Sequence, residues 1–291
     1  MKVNLFFYLL LLFIIGSSSL AIAGNHLSTI ERKALISIYQ NTNGDQWRKN
    51  KGWKDFQLES DGFSRYGTEC DWYGVTCDDK SEKIITIELV ANDLTGKLPK
   101  DMGNFESLKR LNLWVNKISG TIPDEICNLN KLELLCLGSN KFTGNIPNSI
   151  GNIKKLKYLY LDTNLLTGTI PENICSLPEL EILSLHSNKL EGNIPDNIRH
   201  LSNLRELNLF KNNLTGKIPK GIGALTNLVK INVHSNRLSG HIPIEIIQLQ
   251  KLIDGESNLC GNMLSTDNDN VKKFLNKKQH GIMWDKCQKA R

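Results

Sequence analysis

A 24-residue repeat constrains the fold of this 291-residue chain more than any other feature. Asparagine, glycine and proline each recur with that period through seven uninterrupted copies. The asparagines are Asn92, Asn116, Asn140, Asn164, Asn188, Asn212 and Asn236, and the prolines are Pro99, Pro123, Pro147, Pro171, Pro195, Pro219 and Pro243. Because three residue types with different backbone roles share one strict period, the sequence predicts a solenoid in which each copy forms one coil.

Within each copy, the apolar residues predict a short strand followed by a turn. Before Asn164, Leu159 and Leu161 alternate with outward-facing neighbours, as in a strand with one buried face. The asparagine lies at the turn, where we expect its amide to pair with backbone groups of its own and the adjacent coil. Gly168 and Pro171 then bend the chain. Since neither wall of a coil buries its apolar face alone, stacking stabilises the array.

The LxxLxLxxN core and the run LTGTIP at residues 166–171 resemble the leucine-rich repeat family, in particular its plant-type 24-residue class. That class includes receptor-kinase ectodomains and polygalacturonase-inhibiting proteins, and the resemblance covers about residues 28–261. It implies an α/β leucine-rich repeat solenoid of seven 24-residue coils with N- and C-terminal caps. We expect a signal peptide at 1–23, an N-terminal cap at 24–83, the repeats at 84–251, and a C-terminal cap with a basic tail at 252–291.

The N-terminal residues have the three-part form of a secretory signal peptide. Lys2 precedes an apolar run at residues 5–15, and Ala21-Ile22-Ala23 precedes the expected cleavage site. The run of 11 apolar residues is too short to span a bilayer comfortably, and no second run follows. We therefore expect no membrane span, and a mature chain that is secreted to the extracellular space as a monomer.

Most of the net charge of +6 lies at the C-terminal end. Residues 271–291 contain six lysines and one arginine against one aspartate, so the repeat region is close to neutral. We expect no nucleic-acid binding by the solenoid. The basic tail is expected to be a solvated end, with contact to an acidic surface or anionic lipid as the alternative.

The N-terminal cap begins with a predicted helix that has Ser28 and Glu31 in a capping-box arrangement. The run C-x-W-x-G-V-x-C from Cys70 to Cys77 resembles the N-terminal cap of this repeat class, which implies a Cys70–Cys77 disulfide. At the other end, Cys260 takes the position of the next ladder asparagine, and a short helix is predicted over 271–278. Cys287 is the other cysteine of that cap, so we expect a Cys260–Cys287 disulfide.

Three cysteines remain, in a chain expected in an oxidising compartment. Cys127 and Cys175 occupy the same position two coils apart, roughly 10 Å from each other. That distance is too long for a disulfide, so we expect both to be free and packed as small apolar groups. Cys136 occupies an outward strand position, where we expect an exposed thiol, with an intermolecular disulfide as the alternative.

The outward side chains of the strands form the usual binding surface in leucine-rich repeat proteins. Several aromatic residues of the middle coils face outward, and contiguous patches of that kind mark interaction sites. The alternative is that these rings pack on one another to cover the sheet. The candidate ligand-binding residues are Arg110, Trp114, Tyr158, Tyr160, Asp162, His186, Phe210 and His234.

Catalytic and metal sites have little support in the sequence. Asp162 and His186 are neighbours in adjacent coils, and Ser184 or Ser187 would be the nucleophile, but an open sheet offers no recess for a substrate. His186 and His234 are two coils apart, roughly 10 Å, too far to share a metal ion. We therefore expect no catalytic residue, metal or cofactor.

The sequence predicts a secreted, non-catalytic recognition module that binds a protein, peptide or glycan on its strand face. The alternatives are an inhibitor of an extracellular hydrolase, which the resemblance suggests, and a co-receptor ectodomain in signalling. Asn213-Leu214-Thr215 is an N-glycosylation sequon, so Asn213 is the expected glycosylation site.

Overall fold

The structure, a computed structural model, describes residues 27–55 and 57–288. The predicted signal peptide at 1–23 lies outside these residues. Two α-helices, α1 (Thr29–Asn41) and α2 (Asp269–Lys278), lie at opposite ends of the described chain. The strands are β1 (Val75–Cys77), β2 (Ile84–Glu88), β3 (Arg110–Asn112), β4 (Ser119–Gly120), β5 (Leu134–Cys136), β6 (Lys141–Phe142), β7 (Tyr158–Tyr160), β8 (Ile182–Ser184), β9 (Glu191–Gly192), β10 (Glu206–Asn208), β11 (Asn213–Leu214), β12 (Lys230–Asn232), β13 (Ser239–His241) and β14 (Met263–Ser265).

One long sheet runs the length of the repeat array in the order β1-β2-β3-β5-β7-β8-β10-β12. From β2 onward the pairing is parallel, and each residue pairs with the residue 24 positions later, as Leu111 does with Leu135. Strand β1 pairs antiparallel with β2 and covers the N-terminal edge. The chain is thus a leucine-rich repeat solenoid, because successive copies of the sequence repeat lie side by side.

The predicted asparagine ladder is present. The side-chain nitrogen of Asn164 donates to the carbonyls of Leu137 and Leu161, at 3.0 and 3.1 Å. Its side-chain oxygen accepts from the backbone N–H of Phe142 at 3.0 Å. Each such amide therefore joins its own coil to the preceding one, and the same contacts recur at Asn140, Asn188 and Asn212.

The ladder continues into the C-terminal cap, and here the prediction that Cys260 takes the asparagine position was wrong. Asn262, two residues later, accepts from the backbone N–H of Leu238 and donates to the carbonyls of Val233 and Leu259. The cap contains two extra residues relative to the repeat period, so fixed-period counting misplaced this position. Asn258 correspondingly bridges to Asn232 and extends the sheet beyond β12.

After each ladder asparagine, the chain turns at a glycine with positive φ, between 72° and 85° in the seven copies. The repeat proline then precedes a short 3₁₀ helix that forms the wall opposite the strands. These helices span Lys100–Asn104, Asp124–Asn128, Asn148–Asn152, Glu172–Ser176, Asp196–His200, Lys220–Ala224 and Ile244–Gln248. Leucine and isoleucine side chains from both walls fill one continuous core.

The N-terminal cap closes that core with an aromatic cluster. Tyr39 of α1 lies 5.4 Å from Trp53 by ring centroids, and Trp53 lies 4.8 Å from Trp72. Ser28 caps α1 as predicted, because its Oγ accepts from the N–H of Glu31 at 3.2 Å, and its hydroxyl donates to the Glu31 carboxylate. The Cys70–Cys77 disulfide, implied by the family resemblance, is present.

A buried cation lies inside the N-terminal cap. Arg32 is 2% exposed, and its guanidinium contacts the carboxylates of Glu69 and Asp61 and the carbonyl of Ser64. The ring of Tyr66 lies 4.1 Å from the guanidinium carbon. Hydrogen bonds from Arg32 hold the pKa of Asp61 below its usual value of 3.8. The guanidinium thus links α1 to the segment that carries the Cys70–Cys77 disulfide.

The C-terminal cap contains α2, close to the short helix predicted over 271–278, and the predicted Cys260–Cys287 disulfide. Lys278 of α2 donates to Asp254 Oδ1 at 2.6 Å and also contacts the carbonyl of Leu252. Some of the basic tail is therefore folded against the last coil and is not a solvated end. No helix in the described ranges is long and apolar enough to cross a membrane.

The free cysteines agree with the sequence in two cases out of three. Cys127 and Cys175 are free and buried, as predicted, whereas Cys136 was expected to be exposed and is buried. Its partners in register are Asn112 and Tyr160, whose longer side chains flank the short thiol. Burial raises the pKa of Cys136 to about 11, which disfavours the thiolate needed for an intermolecular disulfide.

Candidate ligand-binding face

The candidate site is the outward surface of the parallel strands, which we call the strand face. It comprises the first and third residues of each three-residue strand and the outward residue two positions after the strand, such as Tyr158, Tyr160 and Asp162 for β7. In-register pairing places equivalent residues side by side along the array. All eight predicted site residues lie on this face, namely Arg110, Trp114, Tyr158, Tyr160, Asp162, His186, Phe210 and His234.

Apolar side chains form a row at the first strand position of the middle coils. Leu134 pairs with Tyr158, and Tyr158 pairs with Ile182. All three side chains are partly exposed, and the charged residues Arg110 and Glu206 are their neighbours in register on the two sides. This row of first strand positions is therefore apolar in the middle coils and charged on both sides of them.

Trp114 is the most exposed aromatic residue of the strand face, with 46% of its surface accessible. Its indole Cδ1 lies 3.1 Å from the point where a Cβ of Gly138 would stand, and Asp162 Oδ1 approaches that point from the next coil at 3.1 Å. Glycine in the intervening coil thus leaves room for the indole to lie on the sheet beside the carboxylate. A side chain at position 138 would displace one of them.

Three stacked rings continue the same column toward the C-terminus. The ring centroids of His186 and Phe210 are 4.1 Å apart with planes 9° from parallel, and Phe210 and His234 are 4.5 Å apart with planes 11° from parallel. The rings cover one another's faces and present their edges to solvent. The alternative prediction, that the rings pack on one another, thus describes this column, whereas Trp114 is not part of such a stack.

Asp162 and His186 contact one another, but the surroundings do not resemble a catalytic triad. His186 Nε2 lies 3.6 Å from Asp162 Oδ2, and its Nδ1 lies 3.2 Å from Ser187 Oγ. His234 makes the same contact with Ser235, at 3.1 Å, where the preceding coil supplies Phe210 in place of an acid. The histidine–serine contact is therefore a product of the repeat geometry. Ser184, the other candidate nucleophile, is buried.

The polar residues at the C-terminal end of the strand face were not among the predicted site residues. Asn208, Asn232 and Asn258 form a column, and Asn232 Nδ2 donates to Asn208 Oδ1 at 3.0 Å. Beside this column a shallow cavity of about 280 Å³ is lined by Phe210, Lys230, Asn232, His234, Glu256, Asn258 and His280. The last three come from the C-terminal cap, where the period is lost, so a fixed-period search does not reach them.

The two histidines of the ring stack make stability depend on pH. Burial is the largest cause of the lowered pKa of His186 and of His234, and the charge of Lys211 lowers both further. Below pH 6.5 the unfolded chain therefore binds more protons than the folded chain. The contribution of the two histidines to stability is complete above pH 6.5 and is lost as the pH falls toward their pKa values in the folded state. We expect the double variant His186→Phe/His234→Phe, which keeps the stack, to lose less stability than wild type between pH 7.5 and 5. Urea unfolding at both pH values measures this, and an equal loss in both proteins would contradict the assignment.

The chain matches the family described as "Leucine-rich repeat region" over residues 92–217. It is 41% identical over 44 residues to the LRR receptor-like serine/threonine-protein kinase FEI 2 of Arabidopsis thaliana, across 15% of this chain and 8% of that protein. The aligned region is short, so the curated match supports the repeat type more than any activity of the whole kinase.

Several solved structures are similar over most of the chain. PEPR1, in the structure of PEPR1-AtPEP1, is 31% identical with a TM-score of 0.70, over 80% of this chain and 31% of that chain. The ectodomain of the Arabidopsis receptor kinase HAESA, in complex with an IDA peptide hormone ligand, is 28% identical with a TM-score of 0.69. The match covers 87% of this chain and 40% of that chain. This chain thus spans less than half the length of these two chains. Its fold is a leucine-rich repeat solenoid, and its array is similar to the ectodomains of plant receptor kinases.

Proposed function

We propose that this protein is an exported, non-catalytic recognition module that binds an extended peptide or a peptide-like segment of a protein on its strand face. The observation that carries the proposal is the partly exposed apolar row beside Trp114, with the charged residues Arg110 and Glu206 next to its two ends. Exposed aromatic and apolar groups surrounded by polar residues are typical of binding anchors. HAESA, which has a similar array, is in complex with a peptide hormone ligand in its solved structure.

The dimensions of the strand face suit such a ligand. Seven parallel strands at about 4.8 Å span roughly 29 Å, which matches about nine residues of an extended chain at 3.3 Å each. The apolar row would take alternate apolar side chains of the ligand. The amide column of Asn208, Asn232 and Asn258 would hydrogen-bond its backbone toward the C-terminal end.

The test is capture of ligand from extracellular fluid by immobilised residues 24–291, with elution quantified by mass spectrometry. We expect Trp114→Ala/Tyr160→Ala to lower the affinity for a captured ligand by at least about 30-fold, since aromatic anchors contribute 2 kcal/mol or more each. Trp114→Ala alone, at an exposed position, controls for loss of fold at the partly buried Tyr160. Ser149→Ala/Asn197→Ala on the opposite wall is the matched control and should bind as wild type. Unchanged capture by the folded aromatic variant would refute the proposal.

The same material separates the two alternative functions. An inhibitor would reduce the activity of at least one enzyme in a panel of secreted hydrolases, whereas a co-receptor would capture the ectodomain of a membrane protein. We propose that the chain is a monomer, which light scattering checks. We also propose that Asn213 carries an N-glycan where the host glycosylates, because its side chain lies in β11, outside the strand face.

A further inference from the structure

The turns after the ladder asparagines form a second regular surface, which the proposed function does not use. In each coil the first, third and fifth residues after the asparagine point outward, whereas the second is buried and the fourth is glycine. After Asn188, for example, Lys189, Glu191 and Asn193 are exposed and Leu190 is buried. We call the outward residues at these three positions of the seven copies the polar flank.

The polar flank has a fixed register between coils. Lys97 bridges to Ser119, and Ser119 pairs with Lys141, so the fifth, third and first positions of three successive coils form one line. The N–H of Lys189 donates to the carbonyl of Leu166, and that of Arg237 to Leu214, which repeats the bond from Lys141 to Ile118. Two further lines therefore follow the same order. They are Asn145–Thr167–Lys189 and Asn193–Thr215–Arg237.

Each of these lines presents an amide or ammonium group, a hydroxyl group and a cation to solvent. The repeat glycines keep the surface flat, because the fifth side chain of one coil lies across the glycine of the next. A Cβ at Gly168 would stand 2.4 Å from Asn145 Oδ1, and one at Gly120 would stand 3.0 Å from Lys97 Cγ. The side chains therefore extend along the surface in a regular array.

The flank has an excess of unpaired positive charge. Lys97, Lys141, Lys189, Lys217 and Arg237 are exposed, and within the described residues none of the five lies in an ion pair. Two acidic residues lie at the flank positions of the seven copies, namely Asp93, which pairs with Arg48 and Lys117, and Glu191.

The opposite side of the solenoid, between the strands and the 3₁₀ helices, is different. There charges of both signs occur together, and Lys155 pairs with Glu179 at 2.7 Å and Lys157 with Glu133 at 3.1 Å. Glu133, Glu179 and Glu181 thus offset part of the positive charge on that side.

We propose that the polar flank binds a linear acidic polysaccharide. Its cations would neutralise the acidic groups of the ligand, and the serine, threonine and asparagine side chains between them would hydrogen-bond its hydroxyl groups. A single-stranded nucleic acid would need aromatic side chains for base stacking, and the flank positions of the first six coils contain no ring. A membrane surface would need apolar side chains to insert, and Leu165 is the one apolar residue at the flank positions of the seven copies.

The sequon at Asn213 lies within this surface, because Asn213 pairs with Glu191 across β9 and β11. A glycan attached there would cover the flank of the last three coils. The binding experiments therefore use the Asn213→Gln form of the chain, and a glycosylated preparation is expected to bind the polysaccharide more weakly.

The test measures binding of alginate, dextran sulfate and neutral dextran, with phosphatidylserine vesicles and oligothymidine as other polyanions. We expect binding to the two acidic polysaccharides but not to dextran, weakening with added salt. The triple variant Lys141→Gln/Lys189→Gln/Arg237→Gln should lose at least about tenfold in affinity. Lys131→Gln/Lys155→Gln/Lys251→Gln removes the same charge from the other side and should stay within about twofold of the parent.

Three results would overturn the proposal: no binding to either acidic polysaccharide, an equal loss in the two triple variants, or tighter binding to vesicles or oligothymidine. The variant Thr143→Val/Thr167→Val keeps the charge of the flank and removes two hydroxyl groups. We expect it to lower the affinity for the acidic polysaccharides about threefold, a loss that charge attraction alone would not produce. Trp114→Ala/Tyr160→Ala should leave polysaccharide binding unchanged, so this proposal and the strand-face proposal fail separately.

Discussion

Replacing Asn164 by alanine is expected to lower the free energy of unfolding by about 3 kcal/mol, because it leaves buried backbone groups without partners. The amide donates to the carbonyls of Leu137 and Leu161 and accepts from the N–H of Phe142, in a part of the coil that water does not reach. A buried group that loses its partner loses about 1 to 3 kcal/mol of stability, whereas an exposed one is rescued by water.

Asn145→Ala is the matched control for this prediction, because Asn145 is exposed on the polar flank of the preceding coil. We expect it to change stability by less than about 0.5 kcal/mol. Urea unfolding followed by circular dichroism measures both variants. A cost at Asn164 no larger than the cost at Asn145 would show that the ladder is not a stabilising feature of the array.

Replacing Arg32 by methionine is expected to destabilise the chain by about 3 to 5 kcal/mol, since removing one partner of a buried ion pair leaves an uncompensated charge. Glu69 is as inaccessible as Arg32, at 2% exposure, and would lose its main cationic partner. Because the cap covers the apolar end of the first coil, we expect exchange of backbone amides in β2 to increase as well.

A double variant, Arg32→Met/Glu69→Leu, separates loss of charge from loss of packing. It removes both buried charges together, so we expect it to be more stable than Arg32→Met alone. Thermal unfolding and hydrogen exchange of the two proteins provide the comparison. If the double variant were the less stable of the two, the cost would come from lost packing around the guanidinium and not from the unpaired carboxylate.

Much of the fold could be predicted because one period determines it. Each repeat asparagine has a strand before it and a turn after it, so Asn164 and its equivalents could be assigned to a ladder from spacing alone. The outward positions followed from strand alternation, which placed all eight candidate residues on one face. The disulfide at Cys70 and Cys77 followed from resemblance to a known cap, and the structure contains it.

The errors arose where local context overrides the period. Cys136 was assigned an exposed thiol from its position, but solvent exposure depends on the neighbouring side chains, and Asn112 and Tyr160 in register flank it. In the cap, two extra residues moved the ladder to Asn262. The same shift brings Glu256, Asn258 and His280 to the end of the strand face, a contribution that periodicity alone cannot predict.

The polar flank was also missed, for a different reason. Its residues are visible in the sequence at fixed positions after each asparagine, but the register between coils is offset by two residues, as Ser119 with Lys141 shows. Without that offset, the lines of amide, hydroxyl and cation do not appear. Composition hides them too, because the repeat region as a whole is close to neutral.

Site-specific photocrosslinking tests the central claim, that the strand face is the surface that contacts ligand. A benzophenone amino acid replaces Ile182, in the middle of the apolar row, or Ser149, on the opposite wall, and each protein is irradiated in extracellular fluid. We expect a discrete covalent adduct from position 182 and none from position 149. An adduct from position 149 alone, or the same adduct from both, would contradict it.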